Sequence, residues 1–364
     1  MLTGRFESMS DTTDGAPTAS TTDDDRRSRL FGIKLRALVG EHLGRSVDVE
    51  PAAYPGGAAL LVDDAAWVLV DGAAARSLGA ALAWSIRKGA TALHLVVEHD
   101  SGLLARRARQ LDFPVSVWFP QDRLLLPAVA EPLTAPSPPS PEHLELAGII
   151  EEAGATPVVE HGVVVGEVRG LEVCRVVDQP TVGHFAELGD IDLAVSTAPP
   201  AEQGVQLEVG VGANDREAFR MLHGDIPTVE ALAAVADSVL AHRSRDASQH
   251  PLNRLGQERF LRWELEQDPT LLDMVEVVVA EPPQPRPNLK DPVPCVATGV
   301  GADGRESSIV CSVGVDLDLV GFVADVNEAN DRPVIVALRP RDAVAITRDV
   351  LGLLSTPVDI RVVG

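Results

Sequence analysis

Aromatic residues are scarce in this chain: one tyrosine (Tyr54), four tryptophans and eight phenylalanines among 364 residues. Single-stranded nucleic acids are held by stacking their bases on such rings, so this scarcity argues against a base-stacking platform. Cysteine is limited to Cys174, Cys295 and Cys311, each among apolar neighbours in an expected strand, at spacings that fit neither a zinc site nor a disulfide framework. Only three lysines occur, and the formal net charge is −23. An acidic surface of that size repels phosphate backbones and argues against broad nucleic-acid binding. No apolar run reaches the ~18 residues of a membrane span, and the N-terminus carries no apolar signal core. The composition is therefore that of an acidic, soluble protein expected in the cytoplasm, away from membranes. P-loop, H-E-x-x-H, C-x-x-C and G-x-S-x-G motifs are missing as well.

What is present is a pattern that occurs twice. In Ser307–Val363 a strand (Ser308–Val315) is followed by a helix (Leu319–Ala329), a strand (Val334–Leu338), a helix (Asp342–Leu354) and a strand (Val358–Val363). Near the front, Ala66–Val70, Ala74–Lys88, Leu93–Val97, Gly102–Leu111 and Val115–Phe119 read in the same order. Each unit is preceded by an amphipathic helix (Leu30–Leu43 and Leu255–Leu265) and by short strands, among them Val47–Glu50 and Ala58–Val62 in front and Met274–Ala280 behind. The fold class expected is α/β with mixed sheets: two similar α/β blocks, N- and C-terminal, flanking a middle α+β region. The boundaries are a disordered tail 1–27, a first block 28–130, a proline-rich linker 131–141, a middle region 142–245 and a second block 246–364. The two blocks are candidates to pack on each other about a pseudo-twofold; a protein partner is the other candidate.

The middle region reads as a helix (His143–Ala153), a hairpin turning at His161-Gly162, a continuing meander through Leu171–Val177 and Val205–Val211, and an apolar helix Thr228–His242. Residues 178–203 read as irregular, with Ile191–Val195 as a short strand at most. The meander carries Glu160, Glu167, Glu172 and Glu208, with Asp215 and Glu217 after it. Glu167 and Glu172 share a face only if the chain bends at Gly170. Helix, meander with carboxylates, then helix resembles the core order of the PD-(D/E)xK nuclease fold. That resemblance implies two carboxylates holding Mg²⁺ and a lysine two residues on to assist the attacking water. Glu172 is followed by Val173-Cys174 and Glu208 by Val209-Gly210, so the lysine is absent and the likeness stops at element order.

The candidate catalytic residues are Glu172, Glu208, Asp215 and His223, a carboxylate set with one histidine suited to general acid–base work. The candidate metal ligands are Glu167, Glu172, Glu208, Asp316 and Asp318, the last two where a parallel strand ends and open α/β sheets bind ligands. A divalent metal enters only under the enzyme reading. Competing assignments are structural: Asp318 caps the helix at Leu319, Asp71 does the same in front, and the segment Asn214–Asp225 is a surface loop with a helix cap. Arg106, Arg107 and Arg109, and likewise Asn253, Arg254, Glu258, Arg259 and Arg262 around Trp263, are solvated helix faces unless a phosphate or a partner binds there. Gly299–Gly304 matches G-x-G-x-x-G, but a strand follows it, so the glycines belong to a hairpin tip at Asp303-Gly304. No stretch fixes an activity. The expectation is a non-catalytic interaction or ligand-binding protein, with a divergent metal-dependent phosphodiesterase or nuclease-like enzyme as the alternative.

Overall fold

The computed structural model describes residues 19–72, 74–178, 204–222, 228–244 and 250–364. It is mixed α/β, with three sheets among the described residues. In the first block α1 (Ala19–Leu43) precedes β1 (Ala52–Tyr54), β2 (Gly57–Val62), β3 (Ala65–Val70), α2 (Leu78–Lys88), β4 (Ala92–Val97), α3 (Ser101–Ala108), β5 (Val115–Gln121) and β6 (Leu124–Pro127). These strands lie side by side in chain order. The first three are antiparallel, β3 to β5 are parallel, and β6 returns antiparallel. A parallel neighbour needs a crossover, which α2 and α3 supply.

The middle region holds α4 (Pro141–Glu145), α5 (Ala147–Glu152), β7 (Thr156–Glu160), β8 (Val163–Val168), β9 (Leu171–Asp178), β10 (Val205–Val209), α6 (Ala213–Leu222) and α7 (Thr228–His242). Its four strands form one antiparallel sheet over which α5 and α7 pack Ile150, Leu232, Ala236 and Val239. The second block runs α8 (Gln257–Gln267), β11 (Met274–Ala280), β12 (Cys295–Gly301), β13 (Glu306–Ser312), α9 (Leu319–Ala329), β14 (Val334–Leu338), α10 (Ala345–Leu351) and β15 (Asp359–Val362). Its sheet, in order β11 to β15, is antiparallel through β13 and parallel from there on, the same succession of pairings as β1 to β5.

Several expected boundaries move. Helix α1 begins at Ala19, so residues 19–27 of the expected tail are helical; residues 1–18, and the segment Ile191–Val195, lie outside the described residues. No strand forms over Val47–Glu50; the first strand starts after Pro51, which has no N–H to donate to a ladder. The helix expected over Ala74–Lys88 is a 3-10 turn, Ala74–Arg76, then α2. That expected over His143–Ala153 divides at Leu146. α10 starts well after Asp342, whose carboxylate instead accepts the Gly314 amide at 2.8 Å.

Alternation along the strands explains the layering. Ala58, Leu60, Trp67, Leu69 and Val96 face α1, and Ala59, Ala66, Val68, Leu93 and Leu95 face the other way. In the second block Ala297, Ile309, Cys311 and Ala337 face α8, while Val296, Val310, Val334 and Val336 turn inward. The two inward faces enclose one shared core filled by α2, α3, α9 and α10, with Leu78, Leu82 and Leu104 against Leu319, Phe322, Val323 and Leu351. The blocks also exchange backbone hydrogen bonds where α3 and α10 end: Asp112 N–H donates to Leu353 O and Ser355 N–H to Gln110 O, each at 2.9 Å. Among the described residues no helix is long and apolar enough to cross a membrane.

Candidate functional site

Two of the middle carboxylates, Glu167 and Glu172, are brought opposite each other. Arg169-Gly170, with φ of 48° and 71°, forms the two-residue turn that folds β8 onto β9 and makes Glu167 and Glu172 cross-strand partners. Both are buried, at 4% and 1% exposure. What surrounds them is guanidinium. Glu172 accepts from Arg175 (3.1 Å to each oxygen), Arg216 (2.8 Å) and Arg286 (2.9 Å). Glu208 lies 3.6 Å from Arg216 Nε. Glu167 pairs with Arg262, and Arg259 Nε stands 3.5 Å from it. Glu160, at the end of β7, pairs with Arg259 and lies 3.6 Å from Arg262. Burial alone pushes Glu160 up, but Arg259 and then Arg262 outweigh it and hold the carboxyl below its usual range. Arg262 also reaches Glu266 at 3.0 Å, one turn along α8.

This lattice corrects the reading of α8 as a solvated face. Arg259 and Arg262 are each 1% exposed, and what they bind is the middle region of the same chain. Arg243, also buried, donates to the carbonyls of Arg169, Leu252, Leu255 and Gly256, which locks the approach to α8. The solvated reading of Arg106 and Arg107 is corrected in the same way. Both are buried and grip the fully buried Asp325 of α9, Arg106 through Nη2 at 3.0 Å and Arg107 through Nη2 at 2.8 Å. Arg109 alone of that trio is exposed.

Asp215 sits exposed in the first turn of α6 and accepts the Val211 amide at 2.7 Å, so part of the expected surface loop is helix. His223 lies outside the described residues. Gly299–Gly304 is the β12–β13 hairpin end, with Gly304 at φ 77°. Among the described residues no group of three or more His, Cys, Asp or Glu side chains is placed to hold a metal ion.

Asp316 and Asp318 lie in the turn between β13 and α9, beyond the carboxyl end of the strand, at the junction of the two blocks. Asp318 is the residue before α9, yet its side chain makes no cap there. Instead Arg76 of the first block approaches both acids, Nη2 at 3.4 Å from Asp316 and Nε at 3.5 Å from Asp318. The Gly79 amide, at the start of α2, also interacts with Asp318. Burial, then the Asp316 charge, raises the Asp318 pKa from 3.8 to about 7. Tyr54 is buried nearby with no hydrogen-bond partner for its hydroxyl among the described residues; burial, then the Asp318 charge, raises its pKa. Among the described residues Asp71 caps no helix either: it pairs with Arg27 at 2.9 Å, and Ser77 is the residue before α2.

The raised Asp318 has a consequence for stability. The folded state binds this proton more tightly than the unfolded chain, so the associated stabilisation is complete below about pH 4 and is lost as pH rises to about 7. Asp318→Asn, which cannot ionise, is expected to lose less thermal midpoint than the parent between about pH 4 and about pH 7. Parallel midpoint curves for the two proteins would show that Asp318 ionises freely in the fold.

Beside this junction, α8 and the ends of β13 and β14 frame a cleft of about 300 Å³ lined by Arg254, Gln257, Glu258, Lys290, Arg341 and Asp342. A second hollow of about 410 Å³ shares Gln257, Val313 and Arg341 with it and adds Phe260, Arg339 and Pro340. Glu258 is 5% exposed, and burial pushes its pKa up to about 7. Sequence reasoning placed ligands at this sheet edge through Asp316 and Asp318 but read Glu258 as part of a solvated helix face, with a partner-binding helix as the alternative. An acid in the first turn of an amphipathic helix, beside the apolar stripe, was the available signal. It also missed the ring cluster under α1, where His94 stacks on Trp67 (3.9 Å between centroids) and its Nδ1 accepts from Trp118 Nε1 at 3.0 Å. Burial, with His42 adding to it, lowers the His94 pKa to about 4, which keeps the ring a neutral core member. Compared with known proteins, the chain matches no family model, no curated protein and no solved structure.

Proposed function

We propose that this chain is a cytoplasmic, non-catalytic ligand-binding protein whose ligand sits in the cleft between the start of α8 and the carboxyl ends of β13 and β14. One observation carries the non-catalytic half: three guanidinium groups converge on Glu172, the centre of the carboxylate set that an enzyme would need. A carboxylate neutralised and desolvated in this way acts as a structural tie between β9, α6 and the loop that carries Arg286. The position of the cleft supports the binding half, because open α/β sheets present ligand sites beyond the carboxyl ends of their parallel strands. The buried, free thiols of Cys174, Cys295 and Cys311 suit a reducing compartment.

The alternative, a metal-dependent phosphodiesterase built on Glu167, Glu172 and Glu208, makes a different prediction. A metal held there would stabilise the fold by ~2.7 kcal/mol at a concentration 100 times its dissociation constant. We expect instead that Mn²⁺ leaves the thermal midpoint unmoved and that bis(4-nitrophenyl) phosphate is not hydrolysed. Glu172→Gln should cost about 3 kcal/mol, because it strands buried arginines without their counter-charge. A Mn²⁺-dependent rise in midpoint, or Mn²⁺-dependent hydrolysis, that disappears in Glu172→Gln would move the chain to the enzyme reading.

A further inference from the structure

We propose that the outer edge of β15 pairs with the same edge of a second copy of this chain, antiparallel about a twofold axis at Ile360, so that two second-block sheets join into one. The pairing is independent of the cleft. In the first block the last parallel strand, β5, is covered on its far side by β6, and Val117 O accepts the Ala128 amide at 2.8 Å. Ile360 holds the place in β15 that Val117 holds in β5. Each lies opposite an inward-facing residue of the middle parallel strand, Val336 in one case and Leu95 in the other. Beyond β15 no further strand is paired among the described residues, and its four residues are exposed or half-buried.

Val363 N–H donates to Leu338 O at 2.8 Å, so Val363 turns its backbone groups to β14. By alternation Asp359 and Arg361 do the same, while Val358, Ile360 and Val362 turn theirs outward. A row of outward N–H and C=O groups is a template for another strand, and other edges of this fold are blunted against that. β1 is three residues long between Pro51 and Pro55, β6 ends on Pro127, β7 carries Pro157, and β11 is irregular between Met274 and Glu276. β15 contains no proline, and its register with β14 is unbroken.

The order of side chains along the strand selects a second copy as the occupant. Antiparallel pairing centred on Ile360 sets it opposite Ile360 of the second copy and sets Val358 opposite Val362. Each of these pairs exchanges two backbone hydrogen bonds. The same register sets Asp359 opposite Arg361 on both sides of the axis. Centring on Asp359 or on Arg361 would put like charges face to face, which disfavours those registers. Within one chain Arg361 already pairs with Asp359 at 2.6 Å and with Asp273 at 3.2 Å, yet Asp359 and Arg361 remain 54% and 43% exposed and open to a neighbour. β15 carries one acid and one base, so two copies of this acidic chain meet along a locally neutral strand. On the inward face Val358 and Ile360 pack on the shared core, while Val362 is 48% exposed and would gain apolar cover from Val358 of the second copy. The contact is isologous and closes at two chains.

The test is the mass of the full chain in solution, by sedimentation equilibrium from about 1 to about 200 µM. One short strand pair makes a small interface, so a dissociation constant on the order of 10 µM is expected. Asp359→Arg and Arg361→Asp each set like charges opposite one another and should weaken the dimer by about tenfold or more. Mixed in equal amounts, these two variants should dimerise again, because each supplies the charge that the other lacks. Contacts inside one chain cannot produce that recovery. Ile360→Pro removes an outward N–H without touching the ladder to β14 and should leave a monomer. Should Ile360→Pro fold poorly, the mixing experiment carries the test. The proposal is overturned if the parent stays monomeric throughout this range, if the charge variants dimerise as the parent does, or if their mixture remains monomeric. A dimer that persists in a folded Ile360→Pro would place the contact on another surface and overturn it as well.

Discussion

Replacing Asp325 by alanine is expected to destabilise the chain by about 3–5 kcal/mol, enough to unfold much of the population at physiological temperature. Asp325 has no solvent exposure and lies where α9 crosses α3. One of its oxygens accepts Arg106 Nε at 3.3 Å and Nη2 at 3.0 Å, and the other accepts Arg107 Nε at 3.0 Å, Nη2 at 2.8 Å and Gln284 Nε2 at 2.7 Å. Removing the carboxylate leaves Arg107 buried without its ion-pair partner and Arg106 with only the half-exposed Glu131, 3.7 Å away, which costs far more than the net worth of an intact pair. Asp325→Asn should be nearly as damaging, because shape is kept and charge is not. Asp215→Asn on the exposed start of α6 should stay within ~0.5 kcal/mol. Urea unfolding of the three proteins checks this, and an Asp325→Ala midpoint equal to that of the parent would sink it.

That pair of arginines shows where sequence reasoning ended. The local signals were sufficient for β14, read as Val334–Leu338 from a run of apolar residues, and for the His161-Gly162 turn, where φ values of 50° and 76° favour a glycine. They failed for Arg106 because its partner is 219 positions away, and helix periodicity carries no information about such distances. A hint was present on the other side. Asp325 is the one acid in the apolar stretch from Leu319 to Val326, and a lone charge on such a face implies a buried counter-charge. The same reasoning would have marked Glu172, which stands in β9 among Leu171, Val173 and Cys174. The convergence of Glu167 with Glu172 was legible as a condition, a bend at Gly170. What fills the space between and around them was not, since Arg216, Arg262 and Arg286 come from three other segments. The shared core of the two blocks was legible only as the possibility that they pack on each other. Which helix faces meet is decided by small residues at crossings, and those look like any other glycine in a sequence.

Gly79→Val is the sharpest test of such a crossing. Gly79 is the second residue of α2, and a Cβ built there overlaps the carbonyl of Leu317, backbone atoms that have no rotamer to escape into. α2 and the 317–318 backbone meet here because the hydrogen of glycine is all that separates them. The contact also brings the Gly79 amide to Asp318, next to the Arg76 pairs with Asp316 and Asp318. A valine must push α2 away from this loop, and the same displacement opens the shared core between Leu78 and Leu82 on one side and Leu319 and Phe322 on the other. Overpacking combined with loss of these contacts is expected to cost more than about 4 kcal/mol. Alanine should also be damaging, since Cβ itself makes the overlap. Gly148→Ala, in α5 with nothing within 4 Å of the added carbon, is the matched control and should be neutral or stabilising by up to about 1 kcal/mol. Chemical denaturation of the three variants separates the cases. A Gly79→Val protein that unfolds at the parent's midpoint would mean that α2 does not lie against residues 317–318 in solution, and the shared core between the two blocks would have to be abandoned with it.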